Sequence, residues 1–117
     1  MVNLASMSAL RSVALVPGYG AAKAGIVNIT RNLAVKWAGK GIRVNAVLPG
    51  ITLTPMISRL VGDENFKPIF DRVLERHPIG RFGQPSEIAE SVKWLLSGDA
   101  SFMNGAAVAV DGGYLAT

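Results

Sequence analysis

The amino-acid sequence predicts an α/β domain, part of a doubly wound sheet with about three parallel strands and flanking helices. Three observations carry that reading. Short β-compatible runs at residues 1–6, 42–50 and 105–113 alternate with longer segments of helical period. The middle run, "IRVNAVLPG", is almost continuously apolar, as suits a strand covered on both faces. Strands that alternate with helices pair in parallel through right-handed crossovers.

Taken in order, "MVNLAS" (1–6) alternates loosely and ends at small polar residues, which suits a strand. "SALRSVALVPG" (8–18) reads as a loop closed by Pro17-Gly18. From about residue 20 to 38 the chain reads as helix. Ala22, Ile26, Ile29, Leu33 and Trp37 recur at steps of three and four, and Gly39-Lys40-Gly41 ends them. Residues 51–84 are less periodic, with short helices expected around 54–61 and 66–76. A stretch of that kind is more often a binding loop or lid than a spacer. "QPSEIAESVKWLLSG" is a helix, with Pro85 near its start, Glu87 and Glu90 in its first turns, and Gly98 past its end. Its Ile88, Val92 and Leu95 are expected to face inward. "GAAVAVDGG" is a strand running into a glycine turn. The outer edge of the first strand is expected to lack a neighbour.

Composition narrows the function classes. Of 117 residues, 50% are apolar and only 17% charged, which is globular rather than disordered. There is no cysteine, so neither a disulfide framework nor a thiolate metal site is available, and a cytoplasmic setting fits. The single His77 supplies at most one metal ligand, so no metal is expected. The net charge of +4 invites a nucleic-acid module as one reading, but the twelve basic residues are scattered without aromatic interleaving. No apolar stretch reaches the ~20 residues of a membrane span.

Three residues carry a chemical pattern. Tyr19 and Lys23 are four apart at the mouth of the first helix, so both project from one face. Ser6 ends the first strand, on the side of an open parallel sheet where ligands bind. An ammonium one helical turn from a phenol favours the phenolate, and a nearby serine hydroxyl can hold a carbonyl or alcohol oxygen. That is acid/base chemistry on a C–O centre, suited to hydride transfer supplied by a cofactor. A tyrosine and a lysine at this spacing also form ordinary surface pairs, so the pair needs its context.

The context is the rest of the chain. "NLAS", the thirteen residues from Ser6 to Tyr19, "YGAAKAG", "GIRVNAVLPGITLTPM", "GRFGQPSEIA" and "VDGG" occur in one order along essentially the whole length. Together they resemble the short-chain dehydrogenase/reductase family, which implies a Rossmann-like sheet. The resemblance implies that Ser6 orients substrate and that Tyr19 is the catalytic acid/base. It implies that Lys23 binds the nicotinamide ribose and eases the tyrosine's deprotonation. Pro49, Gly50 and Ile51 match the turn whose backbone lies against the nicotinamide, and Thr54 the threonine that meets its carboxamide or the pyrophosphate. Residues around 55–76 match the substrate loop. The cofactor implied is NAD or NADP, the substrate a small alcohol or ketone, and the assembly a homo-oligomer. In the family the first helix, here with Ala22, Ala24 and Gly25 for close packing, and the "VDGG" strand with its preceding helix build subunit interfaces. Asn104 stands where the family usually has threonine, a change of small expected consequence.

The family also carries a glycine-rich strand-to-helix turn for the cofactor's phosphates and an Asn-Ala-Gly segment, and neither occurs in these 117 residues. "GYGAAK" has G-x-G, but Lys23 stands at the third glycine and a loop rather than a strand precedes it. The chain therefore reads as a single unit, residues 1–117, resembling the C-terminal half of such an enzyme and truncated relative to it. The catalytic segment is expected at 1–40, the nicotinamide edge and substrate loop at 42–84, and the last helix and strand at 85–117. The alternative is a non-catalytic fragment that folds by associating with itself or with another dehydrogenase subunit, motivated by the open strand edge.

Overall fold

The computed structural model describes residues 1–11, 16 and 18–117. Three strands, β1 (Val2–Leu4), β2 (Asn45–Pro49) and β3 (Ala107–Val110), form one sheet in the order β1-β2-β3, all parallel. Four α-helices accompany them: α1 (Tyr19–Ala38), α2 (Pro55–Val61), α3 (Lys67–Glu75) and α4 (Pro85–Leu96). This is the partial Rossmann-like α/β fold expected, with strands shorter than the apolar runs that announced them. The loop expected over 8–18 lies partly outside the described residues, and its beginning folds as a 3-10 turn, Met7–Ala9.

β2 sorts its side chains by alternation, because successive residues of a strand face opposite sides. Ala46 and Leu48 pack with Ala5 and Val27 under α1, while Val47 packs with Leu95 and Ala100 under α4. Ala46, Val47 and Leu48 are fully buried, so β2 is covered on both faces as its unbroken apolar run demands. Ile88, Val92 and Leu95 of α4 face this core, as their spacing requires.

α1 keeps Ile26 of the expected stripe against the core but does not bury the whole stripe. Its buried ridge is Val27, Thr30 and Ala34, whereas Ile29 is 52% exposed and Ala22 is exposed too. α1 carries apolar residues around much of its circumference, so periodicity alone admits more than one ridge. The small ridge wins, because it sits close over the sheet and leaves Thr30 Oγ1 to accept from Asn3 Nδ2 at 2.9 Å. Among the described residues, nothing packs on the small residues Ala22 and Gly25: both are exposed, and a Cβ added to Gly25 would meet nothing within 4 Å.

Two asparagine side chains fix the head of β2. Asn45 is fully buried, donates from Nδ2 to Met103 O at 2.9 Å, and accepts from Ala106 N at 3.0 Å. Asn104 accepts from Val44 N at 2.9 Å and donates to Ala34 O at 3.1 Å, joining α1 to β2. Asn104 thus has two partners of opposite polarity, a larger role than the turn position expected for it.

Candidate active site

Ligands of open parallel sheets bind at the carboxyl ends of the strands. Val2 pairs with Asn45 and Leu4 with Val47; continuing that register sets Ser6 level with Pro49, which pairs with Val110 of β3. Ser6 and the 49–51 turn therefore share one rim of the sheet. Ser6 is 8% exposed and extended, and its Oγ caps the 3-10 turn by accepting from Ser8 N at 3.1 Å. A hydroxyl that accepts in this way still has its own O–H to donate.

The first turn of α1 meets the same rim. Gly20 makes the approach possible: a Cβ there would stand 2.8 Å from Ser8 O, so any larger residue would push the helix off the turn that Ser6 caps. Lys23 Nζ donates to Leu4 O at the end of β1 at 3.1 Å and lies 5.6 Å from the centre of the Tyr19 ring. The i, i+4 spacing therefore places Tyr19 and Lys23 on one face, and the lysine ties that face to β1 two residues before Ser6. The Tyr19 ring itself is 43% exposed, open at the helix mouth. The structure brings Ser6, Tyr19 and Lys23 to one corner of the domain.

The turn after β2 is held on both sides. Gly50 N donates to Val110 O at 3.0 Å, and the position a Gly50 Cβ would take lies 2.8 Å from Asp111 Cα. Ile51 O accepts from Gly83 N at 2.9 Å, and Ile51 N donates to His77 Nε2 at 3.4 Å. Thr54 Oγ1 accepts from Ile57 N at 3.4 Å and so caps α2, a structural task beside the binding role expected of it.

The donor set suits the nicotinamide end of a dinucleotide. An ammonium has three N–H groups, and Lys23 commits one of them to Leu4 O among the described contacts, leaving two for a ribose diol. Among the described residues the phosphate end has no counterpart: "GYG" opens α1 at the helix mouth rather than forming a phosphate turn behind a strand. Among the described residues no three His, Cys, Asp or Glu side chains cluster to hold a metal.

A cleft of about 280 Å³ flanks the turn, lined among others by Ile51, His77, Arg81, Glu87 and Asp111. Of the seven residues singled out from sequence it contains only Ile51, so it lies beside the Ser6-Tyr19-Lys23 corner and is not that corner. Arg81 and Glu87 pair at its edge through two contacts of 2.8 and 2.7 Å. The Arg81 hydrogen bond, aided by the Gln84 N–H, holds the Glu87 carboxyl down from 4.5 to about 2.

Sequence reasoning missed the contribution of His77 and Asp111. Asp111 accepts from Gly113 N and Leu115 N, each at 3.0 Å, and shapes the turn against Gly50. "VDGG" signalled a turn there. Nothing local signalled His77, whose partner at Ile51 is 26 residues away.

A parallel sheet with helices on both faces and polar side chains at its carboxyl rim is the arrangement of the doubly wound α/β proteins. A family model described as Enoyl-(Acyl carrier protein) reductase matches residues 1–115, and the chain belongs to the short-chain dehydrogenase/reductase family. It is 47% identical to 2-(S)-hydroxypropyl-CoM dehydrogenase 3 of Xanthobacter autotrophicus over 99% of this chain and 46% of that protein. An Agrobacterium tumefaciens protein assigned as a 2-deoxy-D-gluconate 3-dehydrogenase, crystallised with NADP, superposes at a TM-score of 0.90 with 40% identity, over 99% of this chain and 46% of that one. A 4-hydroxyisoleucine dehydrogenase in complex with NADH superposes at 0.89 with 26% identity, over 99% and 46%. The chain spans about half the length of the curated relatives it matches. No described helix is long and apolar enough to cross a membrane.

Proposed function

We propose that the chain is the catalytic part of an NAD(P)-dependent oxidoreductase that exchanges a hydride between a nicotinamide cofactor and a small alcohol or ketone. The observation that carries this is Lys23 Nζ reaching Leu4 O, because it gathers Tyr19 and Ser6 at one strand end. The Ser6 O–H donates to the substrate oxygen and fixes it near the phenol. Tyr19 takes the alcohol proton in oxidation and returns it in reduction. Lys23 offers the N–H groups not committed to Leu4 O to the ribose. Pro49, Gly50, Ile51 and Thr54 would hold the nicotinamide end, their backbone braced by Asp111 and Gly83. Bound NAD(P) supplies the hydride acceptor or donor.

The phosphate end would be held by chain beyond these residues, as the coverage of the relatives suggests. The outer edge of β1, unpaired among the described residues with Leu4 54% exposed, is open to a further strand of the same polypeptide or another subunit. Assembly as a homo-oligomer belongs to the same proposal.

The test is oxidation of small secondary alcohols, followed by nicotinamide absorbance in the protein as the cell produces it. Tyr19→Phe lowers kcat by about 10²–10⁴-fold, the range for a positioned acid/base, with the fold intact. An unchanged rate removes Tyr19 from the chemistry and overturns the proposal.

A further inference from the structure

We propose that His77 is a positioning residue for the 49–51 turn, acting through a neutral imidazole protonated on Nδ1. The inference rests on reading that turn as the nicotinamide edge, and it concerns what holds the turn in place.

The tautomer follows from the two partners. His77 Nδ1 lies 2.8 Å from Val73 O, and a carbonyl only accepts, so Nδ1 carries the proton. Nε2 is then a lone pair, and it faces the Ile51 N–H at 3.4 Å. Among the described residues that N–H has no other acceptor. Both ring nitrogens are thus committed to backbone: one to the end of α3, the other to the turn.

The ring is held in that orientation. His77 is 3% exposed, in a T-shaped contact with Phe82 at 5.5 Å and 87°, and Tyr114 tilted beside it at 5.0 Å. Phe82 in turn packs edge-on against Phe70 of α3 at 6.1 Å. Two residues on, Ile79 N donates to Gly112 O at 3.2 Å, fastening the same segment to the turn that presses on Gly50. Gly50 is therefore fixed by Asp111 and Ile51 by His77. α3 lies in the expected substrate loop, and Val73 O in its last turn orients the His77 ring that accepts from Ile51 N.

A histidine that merely filled core volume would need neither tautomer nor acceptor, and this separates the two roles by experiment. His77 is the only histidine, so ¹⁵N-histidine labelling of the unmodified protein gives one assignable ring. The expected result is a neutral ring with protonated Nδ1 and unprotonated Nε2; an Nε2–H tautomer overturns the proposal. In a second arm, His77→Phe keeps a flat ring and removes the acceptor, while His77→Gln keeps an acceptor oxygen. Exchange of the Ile51 amide is expected to rise about tenfold in His77→Phe and to return towards the original rate in His77→Gln, as for a lost and restored bond. Unchanged Ile51 exchange in a folded His77→Phe overturns it as well. If that variant does not fold, the ring tautomer of the unmodified protein decides. These readouts need no turnover, so they fail or succeed independently of the Tyr19→Phe test.

Discussion

Replacing Gly50 by alanine tests how tightly the candidate cofactor turn is built. The added Cβ would stand 2.8 Å from Asp111 Cα and 3.1 Å from both Asp111 Cβ and O, where ordinary contact begins at 3.4 Å. The obstacle is largely backbone, so no side-chain rotation relieves it, and the two turns must part by about 0.6 Å. That movement strains the Gly50 N to Val110 O bond and draws Ile51 from His77 Nε2, a contact already at 3.4 Å. Overpacking of this kind costs about 1–3 kcal/mol. Against a total stability of about 5–15 kcal/mol, the variant should fold with a clearly lowered urea midpoint. Gly50→Ala should also speed exchange of the Ile51 amide, because the turn has moved. A variant within about 0.5 kcal/mol of the original, the ordinary scatter for harmless surface changes, and with unchanged Ile51 exchange would refute the reasoning.

Two further changes probe the frame of the site. Asn45→Ala leaves Ala106 N without its acceptor, while Met103 O keeps Arg43 Nη1 at 3.2 Å, and should lower stability by about 1–3 kcal/mol in urea unfolding, as for one unpaired group. The Arg81–Glu87 pair predicts a pH dependence. The Glu87 carboxyl is held below its usual 4.5 at about 2, so its stabilising effect is complete above pH 4.5 and is lost as pH falls towards 2. The gap in melting temperature between the original protein and Glu87→Gln should therefore narrow across that window, and a constant gap would show that the pair adds nothing.

The order of elements was legible because it is written locally. A 3.6-residue period, a buried apolar run and Pro-Gly punctuation each act within about ten residues. They placed all three strands and four helices, though the boundary of β1 shrank to Val2–Leu4. The Tyr19 and Lys23 relation was legible for the same reason, since four residues along a helix is one turn.

What the sequence determined by itself is thus the α/β class, the order of its strands and helices, and the placing of Tyr19 and Lys23 on one face of α1. The tertiary structure decided which ridge of α1 is buried, because several ridges were apolar enough and only contact with the sheet chose Val27, Thr30 and Ala34. It also decided the partners of the polar groups. Lys23 with Leu4, Asn45 with Met103, Asn104 with Ala34 and His77 with Ile51 are separated by 19 to 70 residues. A hydrogen bond depends on distance and direction at the atomic scale, and for residues so far apart in the chain only the packed sheet and helices fix either.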